Sequence, residues 1–362
     1  MLIGIPPRFA GFQNEADCST SYNFYFGQST AHGGALDTLF AGGTTDAFII
    51  VAFFLFGLVF GSFLNVCIYR MPRELSVVKP RSACPACGKP IAAYDNIPVL
   101  SWLILRGKCR HCHAPISPRY VVVELLTGIF FALAAIAASG HLPGNEPCSS
   151  CPVFPAPFLL SAIKLAVFSF LLLGLIFTDA ETKLLPDLLT KPGIVLGLLF
   201  SLFVPIMDFC PFALDDWPRI VWLLNSLAGA ILGSSFILGI ALLYEALRGV
   251  EGMGRGDVKL MALIGAFLGL RHTLLVLVLG ALGGSCFGLA LILVVWRKRL
   301  VRRRKRNPAE PSATARKRAW QSASLIYRNF EIPFGVFLGV AALFVAFWGG
   351  RVERLLGWFC GN

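Results

Sequence analysis

The sequence predicts an all-α, polytopic membrane protein of about eight helices with a small folded loop at one face. Three observations carry that expectation. The chain is 56% hydrophobic and only 14% charged, against about 25% charged residues in soluble domains, so its excess apolar surface must face lipid. The apolar runs are long and unbroken, whereas barrel strands alternate, and only helices or closed barrels satisfy backbone groups in hydrocarbon. The lysines and arginines gather on alternate connections, as cytoplasmic loops require.

A spanning helix needs about 20 apolar residues to cross about 30 Å of hydrocarbon. Eight segments are candidates: 47–69, 120–139, 158–178, 192–207, 220–244, 258–270, 273–296 and 333–350. The sixth is short and is parted from the seventh only by "RH" at 271–272. With the N-terminus outside, the inward segments 70–119, 179–191, 245–257 and 297–332, with Lys259, hold 26 of the 32 basic residues. The expected organisation is an extracytoplasmic extension (1–46), the first helix (47–69), a cytoplasmic loop domain (70–119), a transmembrane core (120–350) with a basic linker (297–331), and a tail (351–362). The first twenty residues lack the basic n-region and apolar run of a cleavable signal peptide. "RKRLVRRRKR" (297–306) reads as a stop-transfer anchor against anionic headgroups of the bilayer. It lacks the aromatics and fold of a nucleic-acid site, so no nucleic-acid partner is expected. "NPAEPSATARKR" (307–318) reads as a flexible linker.

The eleven cysteines divide by compartment. "CPAC" (Cys84, Cys87) and "CRHC" (Cys109, Cys112) share the first inward loop. Two such knuckles offer four thiolates for a tetrahedral site, and Zn²⁺ suits four sulfurs. The alternative is a redox or unmetallated pair. His111 and His113 read as surface residues, because four cysteines fill the shell. "CSSC" (Cys148, Cys151) falls outside, where a disulfide is favoured over a metal. Cys18 reads as an outer thiol, free or paired. Cys67, Cys210, Cys286 and Cys360 read as small apolar residues.

Ionisable groups at membrane depth invite a functional reading. Glu124, early in the second segment, reads as a hydrogen-bond partner facing the bundle. Asp179 ends the third span in "GLIFTDAETKLLPDLLT" and Asp257 opens the sixth after "EGMGRG". Both fall at the same inner boundary. Two neighbouring carboxylates repel and titrate as a pair. One can then take a proton from an attacking water while the other donates to the carbonyl of a scissile amide. Helix capping or headgroup binding is the bland alternative for each. The glycines would let the chain turn and let an extended substrate approach Asp257. Asp187, after Pro186, reads as an N-cap. Gly265 and Gly269 offer a small-residue packing face. A dinucleotide loop wants G-x-G-x-x-G between strand and helix, not G-x-G-x-G-D after a span. An adhesion-type "RGD" would have to face outward.

The ordered series "GSFLNVCIYRMP" (61–72), "CPAC", "YDNIPVLSWLILRGKC" (94–109), "CRHC", "ISPRYVVVELLTG" (116–128), "TDAETKLLPDLLT" (178–190), "GMGRGDVKLMALIGAFLG" (252–269) and "IPFGVFLG" (332–339) resembles the prepilin peptidases. These are the type IV leader peptidases of bacteria, within the GxGD class of aspartyl proteases. The resemblance spans about residues 47–350. It implies that Asp179 and Asp257 are the catalytic pair and that Cys84, Cys87, Cys109 and Cys112 bind structural zinc. It implies an inner-membrane endopeptidase cleaving type IV prepilins or type II secretion pseudopilins after a glycine, on the cytoplasmic side. Many members also methylate the new N-terminus with S-adenosylmethionine, and an intact zinc loop suggests the bifunctional type. No residues for the methyl donor are assignable from the sequence. Departures are peripheral: the N-terminal extension, the "CSSC" loop and the basic linker.

Two other classes make different demands on the sequence. A proton- or cation-coupled transporter would place its carboxylates near the bilayer midplane and often show repeated halves. A membrane thiol oxidoreductase would want its reactive cysteine pair outside.

Overall fold

A computed structural model describes residues 44–139, 155–204, 218–249, 254–306, 311–328 and 333–355. The elements are α1 (Thr44–Arg70), α2 (Leu100–Ile104), α3 (Arg119–Ala138), α4 (Pro155–Thr182), α5 (Asp187–Ser201), α6 (Pro218–Arg248), α7 (Arg255–Arg306), α8 (Ser312–Arg328) and α9 (Phe334–Leu355). Among the described residues there are no strands, only the isolated bridges Ala83–Pro90 and Lys108–Pro115. The all-α, multi-pass class holds.

The described residues do not establish all eight expected spans. Five helical stretches are long and apolar enough to cross a bilayer: Ala47–Arg73, Arg119–Ala138, Phe158–Thr182, Arg219–Arg248 and Arg255–Arg306. The apolar part of α9, Phe334–Gly349, is shorter, and α5 has 15 residues. The sixth and seventh segments fall largely on the two sides of a break at Gly269 within α7, two residues before "RH" at 271–272. At Gly269 φ is 79°, a left-handed value that favours glycine. The break frees the N–H of Leu270, which donates to Asn225 Oδ1 of α6 at 3.0 Å. Beside it, Gly229 of α6 lies against the backbone of Gly265 and Gly269, so the expected small-residue face is where α6 and α7 meet.

The basic linker is also more ordered than its composition suggested. Residues 297–306 continue α7, and 312–328 form α8, which packs back on α7. Ala315, Ala319 and Ala323 are all buried; their spacing of four puts them on one helical face. Trp296 and Trp320 meet edge to face at 6.3 Å. The expected CSSC disulfide and Cys18, Cys210 and Cys360 lie outside the described residues.

The core gathers Leu64, Cys67 and Ile68 of α1 with Phe168–Leu175 of α4, Leu260–Phe267 of α7 and Leu338–Val345 of α9. Phe168 and Phe267 stack at 4.9 Å within it. This packing brings the C-terminal end of α4 and the N-terminal ends of α7 and α9 to one end of the bundle.

Candidate active site and metal centre

Asp179 lies in the last turn of α4 and Asp257 in the first turn of α7. Both side chains are buried, at 5% and 9% exposure. They meet at Gly335, in the first turn of α9. A Cβ at that glycine would lie 2.8 Å from Asp179 Oδ2 and 3.2 Å from Asp257 Oδ1. The separation of those two oxygens therefore cannot exceed the sum of these distances. The two carboxylates share one small space, and it exists because residue 335 has no side chain. The next N–H in α9, that of Val336, donates to Asp179 Oδ2 at 3.0 Å. It is one of the donors that a helix N-terminus leaves without an intrahelical acceptor.

Of the glycines before Asp257, Gly252 lies outside the described residues. A Cβ on Gly254 would meet Gly256 N at 3.9 Å among the described residues, an ordinary contact, whereas one on Gly256 would press on Leu185 at 2.9 Å. Gly256 thus lets the "KLLPD" turn close onto the start of α7.

Ion pairs brace both helix ends. Arg119 of α3 pairs with Glu181, two residues past Asp179. Asp187 pairs with Lys191 at 2.7 Å and with Lys259 at 2.5 Å, joining α5 to α7 two residues past Asp257. The expected capping role of Asp187 is thereby corrected. Pro186 is the N-cap, and the aspartate side chain turns to the two ammonium groups instead. Its side chain is 43% exposed, so Asp187→Ala should leave stability close to wild type, because exposed ion pairs contribute little. It should slow peptide cleavage less than tenfold, as checked by thermal unfolding beside kinetics.

Glu124 behaves as expected. It is buried, and its Oε2 accepts the Val99 N–H at 2.7 Å. Val99 has a φ of 60°, unusual for a β-branched residue, and the bond fastens the loop domain to α3.

In that loop Cys84, Cys87, Cys109 and Cys112 converge, all four Sγ atoms lying within 4.8 Å of one another. Cys84 Sγ and Cys112 Sγ are 3.7 Å apart, and the thiols are free. Zn–S bonds of about 2.3 Å in a tetrahedron require sulfurs about 3.8 Å apart, so the cluster fits a metal ion of that type. The N–H groups of Cys87 and Ala86 hold the Cys84 thiol down to about 6, while its neighbours in the cluster push the Cys112 thiol up to about 11. His111 and His113 are exposed and outside the cluster.

The two knuckles are one unit used twice, 25 positions apart: "SACPACGKPI" (82–91) and "GKCRHCHAPI" (107–116). Cys84 N–H bonds Lys89 O as Cys109 N–H bonds Ala114 O, both at 2.9 Å. Gly88 N–H bonds Cys84 O as His113 N–H bonds Cys109 O. Ile91 N–H bonds Ser82 O as Ile116 N–H bonds Gly107 O. Gly88 and His113 both have positive φ. Sequence reading found the cysteines but not this repeat, which self-comparison would have revealed. Between the knuckles, Arg110 grips Asp95 through two nitrogens, at 2.5 to 3.1 Å, and holds that carboxyl below its ordinary range.

Gly335 and Val336 were also missed as site residues. "IPFG" was visible as a motif, but nothing local announces a partner 157 positions away.

Comparison with known proteins gives consistent matches. The model of the bacterial peptidase A24 N-terminal domain matches residues 55–138, and that of the type IV leader peptidase family matches residues 166–289. A prepilin leader peptidase/N-methyltransferase of Aeromonas salmonicida (strain A449) is 33% identical over 329 residues, covering 83% of this chain and 91% of that protein. One from Burkholderia pseudomallei (strain 1026b) is 31% identical over 367 residues, covering 94% and 98%. One from Neisseria gonorrhoeae is 36% identical over 241 residues, covering 59% and 72%. No solved structure matches the chain.

Proposed function

The chain belongs to the type IV leader peptidase family, and on that premise we propose that it is a membrane-embedded aspartyl endopeptidase removing leaders from type IV prepilins. The observation that carries the reading is the convergence of Asp179 and Asp257 on Gly335. In the proposed reaction an extended leader passes the aspartate pair. One carboxylate, ionised, takes a proton from a water as that water attacks the scissile carbonyl carbon. The other, protonated, donates to the carbonyl oxygen. Collapse of the tetrahedral adduct then returns a proton to the departing amine. The Val336 N–H holds Asp179 in place throughout, so little reorganisation accompanies the step.

Burial of both carboxylates at span ends suits a cut beside an apolar segment that stays in the bilayer. Cleavage after glycine, the cytoplasmic location of the site in the bacterial inner membrane, and the use of type II secretion pseudopilins belong to the same proposal. The transporter reading finds no support: neither carboxylate is in the middle of its helix, and the relatives are named as peptidases. The oxidoreductase reading loses its basis because its two cysteine pairs form one four-sulfur cluster. Incubating the purified protein with a prepilin tests the activity: leader removal supports it, and an intact prepilin refutes it.

The proposed second activity is N-methylation of the newly exposed terminus, for which bound S-adenosylmethionine supplies an electrophilic methyl group. The proposed metal is structural zinc on Cys84, Cys87, Cys109 and Cys112. Cys84→Ser and Cys112→Ser should each lower zinc from one atom per chain to near none by elemental analysis. The loop should then become protease-sensitive, because metal binding and local folding are coupled. Wild-type protein that holds no zinc yet has a protease-resistant loop would contradict the assignment.

A further inference from the structure

An N-methyltransferase needs a site for its donor. The described residues contain a separate cavity of about 270 Å³, open on one side, beyond the inner end of α1. Its walls come from α1 (Val66, Arg70), the strap 77–82 before the first knuckle, and the turn after it (Ile91, Ala93, Asn96). We propose that this cavity binds the adenosyl sulfonium donor. The inference rests on the N-methylation reading above and supplies the residues that reading lacks.

The chemistry of the lining fits such a ligand. The donor carries a carboxylate, an ammonium group and a flat apolar base. Two guanidiniums, Arg70 and Arg81, line the cavity and no carboxylate does, which suits an anionic carboxylate end. The Ser82 hydroxyl and Asn96 amide oxygen offer acceptors to the ammonium group. Val77, Val78 and Ile91 give an apolar wall for the base. The volume is close to the lower end of the about 300–1,000 Å³ found for small-molecule sites, and the open side accommodates the remainder of the ligand.

The site is also built. Arg70 donates to Ser76 O at 3.0 Å and Pro80 O at 2.8 Å, so its guanidinium both shapes the strap and charges the wall. The Arg110–Asp95 pair holds the turn that carries Asn96. The Ile91 N–H bond to Ser82 O closes the first knuckle across the cavity floor. By contrast, neither the Arg81 guanidinium nor the Asn96 amide has a hydrogen-bond or ion-pair partner among the described residues, which leaves both for a ligand.

Position supports the same assignment. Val77 packs on the core cluster that also receives Val258 and Phe334, the neighbours of Asp257 and Gly335. The cavity and the aspartate pair thus both adjoin the hydrophobic core, and the proposal has the freed N-terminus pass from one to the other. There the amine lone pair forms an N–C bond to the methyl carbon. The C–S bond breaks with its electrons going to sulfur, which becomes a neutral thioether, and the amine releases a proton to water.

Equilibrium dialysis of the full chain in detergent against labelled S-adenosylmethionine tests the proposal. Arg81→Gln should weaken binding at least tenfold, and Ala93→Trp, which fills the cavity, should do the same. Asp257→Asn should bind as wild type does. Leader removal by Arg81→Gln should stay within twofold of wild type, which shows that the chain is folded. Wild-type binding by both Arg81→Gln and Ala93→Trp would overturn the site. Wild-type protein that removes leaders but binds no donor would overturn the N-methylation reading, and the proposal with it.

Discussion

Asp179→Asn and Asp257→Asn are each expected to lower leader cleavage by at least about 10³-fold. An amide cannot accept the water proton, and it cannot donate an acidic proton to the carbonyl oxygen, so either change removes one half of the relay. The corresponding barrier increase is about 4 kcal/mol. Both side chains are buried, yet the replacement is nearly isosteric and removes a charge rather than adding one. The fold should therefore survive, and zinc content and thermal unfolding should match wild type. Single-turnover cleavage of a prepilin under saturating enzyme provides the measurement.

The second large effect is expected at Gly335. Its Cβ position lies 2.8 Å from Asp179 Oδ2, 3.2 Å from Asp179 Cγ and 3.2 Å from Asp257 Oδ1, closer than ordinary contact. Gly335→Val must push the carboxylates apart or shift the start of α9, which also carries the Val336 N–H. Misplacement of catalytic groups by about 1 Å costs about 10²-fold. We expect a loss of that size for Gly335→Ala and a larger one for Gly335→Val, with zinc unchanged. Gly283 is a useful control: it also lies on an apolar helix, but its Cβ would meet only Phe337, at 3.7 Å. Gly283→Ala should cleave within twofold of wild type. Full activity in Gly335→Val would show that α9 does not shape the site.

The contrast between Asp257 and Gly335 shows where the sequence was legible. A carboxylate at the end of an apolar run is costly enough to stand out, and loop charge sets its side of the membrane. Those two facts brought Asp179 and Asp257 to one boundary before any contact was known. Gly335 has no such signature, because its significance arises from the packing of α9 against α4 and α7. The same holds for Lys259, whose partner Asp187 belongs to another helix. The boundary between the sixth and seventh segments was displaced for a physical reason as well. A glycine with positive φ breaks α7 at 269 without any polar interruption, so hydropathy placed the boundary at the nearest charges instead. In α8 the polar composition suggested a linker, whereas the alanine spacing that docks it on α7 carries little hydropathy. The four-cysteine cluster was the most legible feature, since two C-x-x-C knuckles in one loop bring four sulfurs together.

The central claim is that Asp179 and Asp257 act as a single dyad. Its most direct test is a double-mutant cycle on leader cleavage, using Asp179→Asn, Asp257→Asn and the double variant. Groups that work as a unit are strongly non-additive, so the double variant should be no slower than the slower single variant. Two losses that multiply, or either single variant cleaving at the wild-type rate, would contradict the dyad.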